Sequence, residues 1–423
     1  MTRALTDEIH LILVYFYYLM TNKPANHSSD QKYQTTQSSQ STTAPLRIGV
    51  VFGSRSVEHE VSIITATQLM RNFPASYQAV PLYIDKSGRW WTGKALAKIE
   101  TFQQLDLHHP DSGGLDLTQA EIFPVPQAST GVHQMVDAII LAVHGGAGED
   151  GTLAGLLELA GIPYVGPGVI AAGAAIDKIF TKHLAESAGL KVTNYGWFTS
   201  QDWQHGNKAV LAEIAHLNYP LFVKPASLGS SVGITRVTNQ NELIAAIELA
   251  TEFDSRIVVE ESAPADVIEV NIAVLGTADD CQASISEQPV KTEDFLTYAD
   301  KYQRGGKKTG EKTSQGMAGL SRQIPAPISL ELQEKMQDAA CYLWKLIDGF
   351  GVARIDFFAN PTTEEFWVGE INSPPGSMAY YLWEASGLNY PKLIEQLIKI
   401  AQQRFEQRKK LFTSIETNIL AKK

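Results

Sequence analysis

From Leu46 onward, short runs of strongly apolar residues alternate with runs of helical periodicity, and this alternation constrains the fold more than any other feature of the chain. IGVVF at 48–52, AIILAV at 138–143, YPLFVK at 219–224, RIVVEE at 256–261 and VNIAVL at 270–275 predict buried strands. Between them, 152–160, 174–188 and 241–251 carry a helical pattern, which makes the class α/β. With 423 residues the chain exceeds what one hydrophobic core usually serves, so two or three domains are expected. Near the end, Leu393, Ile394, Leu397, Ile398, Ala401 and Phe405 repeat at helical spacing and predict a final amphipathic helix that packs on the core.

The first 45 residues follow a different pattern. LILVYFYYLM at 11–20 is too short to span a bilayer, and Asp7 and Glu8 stand where a signal peptide carries positive charge. Residues 21–43 are rich in Ser, Thr, Gln and Asn, the composition of a disordered linker, and Met20 is an alternative start of translation. We therefore expect a 1–45 extension outside the core and no membrane span. The formal charge of -11 argues against nucleic acid as a partner, and the basic stretch 304–312 is interrupted by glycines. Two cysteines, Cys281 and Cys341, make neither a disulfide framework nor a zinc site, which fits the cytoplasm.

Chemistry is concentrated at 351–383. Side chains alternate along a strand, so Arg354 and Asp356 share one face of the first run, and Glu370 and Asn372 share one face of the second. If the two runs pair, one surface carries two carboxylates, an amide oxygen and a guanidinium. That set suits a magnesium-bound polyphosphate beside an anionic reaction centre. The flanking Val352, Ile355, Phe357, Phe358, Phe366 and Val368 place this polar face in a cleft rather than in open water.

Two glycine-rich segments invite a nucleotide reading. HGGAGEDG at 144–151 contains the spacing of a dinucleotide fingerprint, but the acidic residue that would hold a ribose after the next strand is missing. Glu149 and Asp150 would also put negative charge where a pyrophosphate must sit, so a nicotinamide-dependent oxidoreductase is disfavoured. In KPASLGSSVGI at 224–234, glycines flank Ser230 and Ser231 and let backbone N–H groups approach an oxyanion, while Lys224 supplies a point charge. It is not a Walker A loop, because its lysine precedes the glycines. In GSRSVEHEVS at 53–62, Glu58 and Glu60 fit either a substrate ammonium or the start of a helix, and composition leaves both open.

Taken in order, GSRSVEHEVS, HGGAGEDGTLAGLLE, the IDK at 176–178, KPASLGSSVGI, the YADKY at 298–302, RIDFF and EINSPPG resemble the motif series of the D-alanine–D-alanine ligases, a family of ATP-grasp enzymes. The resemblance covers nearly everything from Leu46 to about residue 400. It implies an ATP-grasp fold of two α+β lobes preceded by a Rossmann-like domain, divided as 46–168, 169–258 and 259–411, with a lid loop at 298–321. It implies ATP as cosubstrate, two Mg2+ ions for which Mn2+ can substitute, D-alanyl phosphate as intermediate, and a homodimer that supplies peptidoglycan precursor.

Site roles follow the same resemblance, motif by motif. Asp356, Glu370 and Asn372 would bind magnesium, and Arg354 with the N–H of Gly376 would stabilise the tetrahedral oxyanion. Lys178 and Lys224 would hold ATP phosphates, with Ser231 beside them, and Lys301 the transferred phosphate. Glu260, Glu261, Ser262 and Ala263 would form the hinge that receives adenine, with Glu269 on the ribose. Glu58 would hold the first ammonium and His144 would lie near the reacting groups. Tyr302 would reach Ser230 when the lid closes and excludes water. Ser377 and Met378 resemble the pair that binds the second substrate's carboxylate.

The sequence departs from the family in three places. Ser377-Met378 follows Gly376 directly, about four residues sooner than in many members. The lid is longer and more basic, and the N-terminal extension has no counterpart. A shortened acceptor loop leaves room for other acceptors, D-lactate or D-serine, or for Tyr380 or Tyr381 as the binder. From another class, a nucleotide-binding regulator without catalysis is the alternative.

Overall fold

The computed structural model describes residues 44–106, 117–119, 135–290 and 322–412. The expected extension, the lid loop, Lys301 and Tyr302 lie outside them. Three sheets organise the rest. In the first, β1 (Leu46–Gly53), β2 (Tyr77–Ile84), β3 (Trp90–Thr92), β4 (Thr118–Gln119), β5 (Ala138–Leu141) and β6 (Tyr164–Val165) lie in the order β4-β3-β2-β1-β5-β6. β1 pairs in parallel with both β2 and β5, as crossover helices require. Two such helices are α1 (His59–Arg71) and α2 (Thr152–Ala160).

The predicted helix over 174–188 is two helices, α3 (Val169–Ile176) and α4 (Lys178–Ser187). Asp177 causes the break. Its backbone is extended, and its carboxylate accepts hydrogen bonds from the N–H groups of Ile179 and Phe180, both 2.9 Å, as an N-cap. The second sheet follows, with β7 (Tyr195–Thr199), β8 (Leu221–Pro225), β9 (Thr235–Val237) and β10 (Arg256–Glu261) in the order β7-β10-β8-β9. α5 (Ser200–Glu213) and α6 (Gln240–Thr251) cover one face, where Phe198, Leu221, Val223, Leu243, Ile247 and Val259 form a core. Alternation then turns Phe222, Lys224 and Glu260 to the other face, since Glu260 pairs with Phe222.

The third sheet repeats this division. β11 (Ile268–Gly276) and β12 (Cys281–Ala283) come first, then a two-stranded ladder of β13 (Gln288–Pro289) with β14 (Arg322–Gln323). Next are α7 (Leu330–Leu346), β15 (Gly351–Ala359) and β16 (Phe366–Asn372), and the sheet order is β12-β11-β15-β16. Val270, Ile272, Ile355 and Phe357 pack against Leu332, Met336, Leu343 and Trp344 of α7. Each such buried side chain contributes roughly 1.5–3 kcal/mol. Arg354, Asp356 and Asn271 face the opposite way, because they stand one residue out of phase with that core.

α8 (Tyr380–Ala385) and α9 (Tyr390–Lys409) close the chain. Leu393, Ile394, Leu397, Ile398 and Ala401 of α9 share a core with Ile48, Val50 and Phe52 of β1, as the helical spacing predicts; Phe405 is only partly buried. The same core takes in Ala273, Leu275 and Val352 of the third sheet, so the first and third sheets are joined by packing. The cysteines depart from expectation. α7 packs along the edge strand β12, bringing Cys341 to Cys281 with Cα atoms 5.7 Å apart, and the two form one disulfide. Among the described residues no helix is long and apolar enough to cross a membrane.

Candidate active site

The polar faces of the second and third sheets enclose a cleft of about 660 Å³. Tyr219, Pro220, Phe222, Lys224, Ser231 and Glu260 line it from the second sheet and its loops, Glu261, Ser262 and Ala263 from the link to β11, and Glu269 and Phe358 from the third sheet. Its size and its mixture of aromatic surface with a few charges suit a nucleotide-sized ligand. The sequence-predicted hinge, Lys224, Ser231 and Glu269 are therefore assembled in one place.

At the Lys224 end of that cleft the charges are paired in a way the sequence does not announce. Glu260 is buried and its side chain bridges two ammonium groups, Lys182 at 2.7 Å and Lys224 in a short ion pair. Burial raises the pKa of a carboxyl, but here the two lysines outweigh it and hold Glu260 far below the usual carboxylate range. Burial also pulls the Lys224 ammonium down, and Glu260 more than compensates, so its pKa ends raised. For Lys178, burial dominates and the pKa is lowered; its Nζ donates to the Leu228 carbonyl at 2.6 Å and stands 3.9 Å from Glu370. Lys182 is the residue that sequence reasoning missed. Its spacing of four from Lys178, just after the Asp177 cap, puts both on one face of α4 and was the available signal.

On the third sheet, β15 and β16 pair with Arg354 opposite Asn372 and Asp356 opposite Glu370, so the four predicted residues do share one surface. Asp356 accepts both arms of the Arg354 fork, at 2.6 and 2.7 Å, and an N–H of Asn372 at 3.0 Å. Burial is the largest influence on Asp356 and Arg354 opposes it. Glu370 and Glu269 add like charge, and the balance leaves the carboxyl pushed up to about 6. Such crowding of carboxylates is what a bound cation relieves. Among the described residues no group of three His, Cys, Asp or Glu side chains is placed to hold a metal ion, so a third oxygen beside Asp356 and Glu370 would have to be the Asn372 amide. The set is one of hard oxygen donors, which fits magnesium.

Glu58 and His144 stand in the loops that follow β1 and β5, which Ser56 joins by donating to the His144 carbonyl at 2.7 Å. Glu58 is buried and accepts a short hydrogen bond from the Ser230 hydroxyl, tying the first sheet's loop to the glycine-serine loop of the second. Close approach is what the glycines provide: a Cβ on Gly145 would lie 2.4 Å from the Ser56 hydroxyl, and one on Gly229 would lie 3.0 Å from the Glu58 carboxylate. His144 is buried, with Nε2 2.8 Å from the Thr65 hydroxyl and Nδ1 3.5 Å from Glu149.

Ser377 stands beside the same threonine. Its N–H donates to Thr65 Oγ1 at 3.2 Å, its hydroxyl donates to Gln68 at 2.7 Å, and only 1 % of its surface is exposed. Met378 is fully buried in the core of the first sheet. Ser377, Met378 and Ala379 all take left-handed backbone angles, φ 53°, 56° and 49°, which is how the short link from Gly376 reaches α8. Beyond them Tyr381 donates to Glu287 at 2.9 Å and lies under Arg322, whose guanidinium carbon is 3.6 Å from the ring centre.

Comparison with known proteins agrees with this arrangement. Family models described as D-ala D-ala ligase N-terminus and D-ala D-ala ligase C-terminus match residues 47–167 and 184–399. The chain is 35% identical to a D-alanine–D-alanine ligase of Natranaerobius thermophilus, covering 86% of this chain and 96% of that one. It is 36% identical to one of Bacillus velezensis, with 85% and 98% covered. Among solved structures, the D-alanine-D-alanine ligase from Coxiella burnetii aligns with a TM-score of 0.70 at 28% identity, covering 86% of this chain and 96% of that one. The VanG D-Ala:D-Ser ligase from Enterococcus faecalis aligns at 0.68 and 29%, covering 85% and 100%. The fold is that of the ATP-grasp enzymes, and the chain belongs to the D-alanine–D-alanine ligase family.

Proposed function

We propose that the protein joins two molecules of D-alanine at the expense of ATP, giving D-alanyl-D-alanine, ADP and phosphate for peptidoglycan synthesis. The observation that carries this reading is the placement of Arg354, Asp356, Glu370 and Asn372 on one surface, facing a nucleotide-sized cleft. In the reaction, a carboxylate oxygen of the first D-alanine attacks the γ-phosphorus of ATP and ADP leaves. The amine of the second D-alanine then attacks the acyl phosphate carbonyl, and phosphate departs with that carboxylate oxygen.

Each residue has a task in this scheme. Glu58 holds the first ammonium, and the Arg354 guanidinium with the Gly376 N–H steadies the oxyanion, at about 3 kcal/mol per donor lost. Lys178 and Lys224 hold phosphates, with Lys182 fixing Glu260 behind them. Ser231 lies beside the phosphates, 260–263 take the adenine and Glu269 the ribose. Asp356, Glu370 and Asn372 would hold Mg2+, which when bound offsets polyphosphate charge. Arg354 donates once to each Asp356 oxygen, and a carboxylate's remaining lone pair is what would ligate the ion while Arg354 orients the group. Lys301 and Tyr302 take the transferred phosphate and the lid contact with Ser230. His144 stands behind the reaction centre, and Ser377 and Met378 form the wall behind the acceptor.

We read a substrate domain at 46–168 and two lobes at 169–258 and 259–411, the second boundary falling within β10, in a cytoplasmic homodimer. An assay of phosphate release with ATP against D-alanine, D-serine and D-lactate, with product identified by mass, tests the reading. D-Alanine alone should suffice as donor and acceptor. Release that requires D-serine or D-lactate would make this a ligase of another acceptor, and none with any acid would leave a nucleotide-binding regulator.

A further inference from the structure

The second amino acid presents a carboxylate that must be held beside Arg354 and Gly376, and the residue expected to hold it is committed elsewhere. Ser377 gives its hydroxyl to Gln68 and is buried. The cations Lys178 and Lys224 belong to the nucleotide side of the cleft. Among the described residues, another cation within electrostatic reach of this corner is Arg322. Its Nη1 lies 3.2 Å from Glu287 Oε2, its side chain is only 12% exposed, and its plane covers the Tyr381 ring. Glu287 is held in turn by Tyr381 and by an N–H of Asn271 at 3.2 Å, and Asn271 pairs across the sheet with Asp356. Tyr381 and Glu287 both lie within electrostatic reach of Arg354.

We propose that Arg322, stacked on Tyr381 and anchored by Glu287, binds the carboxylate of the acceptor amino acid and sets acceptor specificity. The assignment rests on the ligase reading above. A guanidinium carries five donors in a fixed fork, so one edge can hold Glu287 while another receives a second carboxylate. Stacking on Tyr381 fixes the plane of that fork. The charges of Arg322, Glu287, Arg354 and Asp356 sum to zero, so a zwitterionic acceptor enters without adding net charge to a buried site. Tyr381 is thus a positioning residue. The left-handed run Ser377–Ala379 carries the chain directly from Gly376 into α8, which bears Tyr381.

The test uses the full chain, with Arg322→Gln and Arg322→Lys, and two acceptors that differ only in the group in question, D-alanine and D-alaninamide. Arg322→Gln should raise the KM for the second D-alanine by roughly tenfold to a hundredfold, the loss of a hydrogen bond to a charged group. KM for ATP and for the first D-alanine should stay within about twofold. The preference for D-alanine over D-alaninamide should fall by the same factor as the second-site loss, and Arg322→Lys should recover part of it. Equal losses with both acceptors, or a loss confined to ATP affinity, would overturn the assignment and leave Arg322 as a brace for Glu287. If Arg322→Gln yields no folded protein, the acceptor ratio of Arg322→Lys decides by the same criterion. A wild type that ligates no D-alanine overturns the ligase reading itself, whereas a ligating wild type with an unchanged acceptor ratio in both variants overturns only this assignment.

Discussion

One buried carboxylate, Glu260, neutralises two ammonium groups, and removing its charge leaves Lys182 and Lys224 facing each other in a low-dielectric wall. Glu260→Gln should therefore cost on the order of 3 kcal/mol in urea unfolding, as breaking a buried pair usually does. The pH dependence follows from the depressed pKa of Glu260. A carboxyl held ionised in the folded chain adds stability at every pH above its unfolded value, about 4.3. It loses that contribution only as pH falls toward the folded value. The gap between wild type and variant should stay level from about pH 8 to about pH 5 and close only in stronger acid; a gap that closes near neutrality would show that Glu260 is not the counter-ion. On the third sheet, Glu370→Gln removes a charge with little change in volume. Ligation should fall by at least about a hundredfold with melting temperature nearly unchanged, and near-wild-type turnover at saturating magnesium would remove Glu370 from the metal set.

At the scale of elements, Asp177 decides where α4 begins and so where Lys178 and Lys182 point. Asp177→Ala removes a cap that accepts two N–H groups and a short ion pair with Arg256. A stability loss of about 1–2 kcal/mol is expected, with a several-fold rise in KM for ATP and a smaller change in kcat; unchanged ATP affinity would mean the cap does not aim the lysines. Much of this level was legible in the sequence. Strand alternation was enough to put Arg354, Asp356, Glu370 and Asn372 on one face, because period two leaves no other choice once the core face is known. The break at Asp177 was hidden inside an unbroken apolar period, since capping depends on backbone angles. Lys182 was missed because its partner Glu260 is far away in sequence. Met378 shows the limit from the other side: nothing in a short motif tells a side chain that lines a site from one that fills the core behind it. The Cys281–Cys341 bridge, spanning 60 residues, depends on how α7 meets β12.

Across the whole molecule, the residues of the proposed catalytic surface come from three sheets: Glu58 follows a strand of the first, Lys224 and Glu260 lie in the second, Arg354 and Asp356 in the third. The cores that hold them begin at Ile48 and end at Ala401. A chain starting at Ala44 should accordingly fold with a melting temperature close to that of the full chain and retain its ligase activity; insoluble or inactive protein would show that the extension contributes to the body. The joint account of donor, acceptor and acyl phosphate is tested most directly by following oxygen. D-Alanine carrying heavy oxygen in both carboxylate positions is supplied with unlabelled ATP, and phosphate and dipeptide are weighed. One labelled oxygen is expected in each phosphate released, with a dipeptide that has lost one label at its peptide carbonyl. Dipeptide formed alongside unlabelled phosphate, or labelled phosphate without dipeptide, would contradict it.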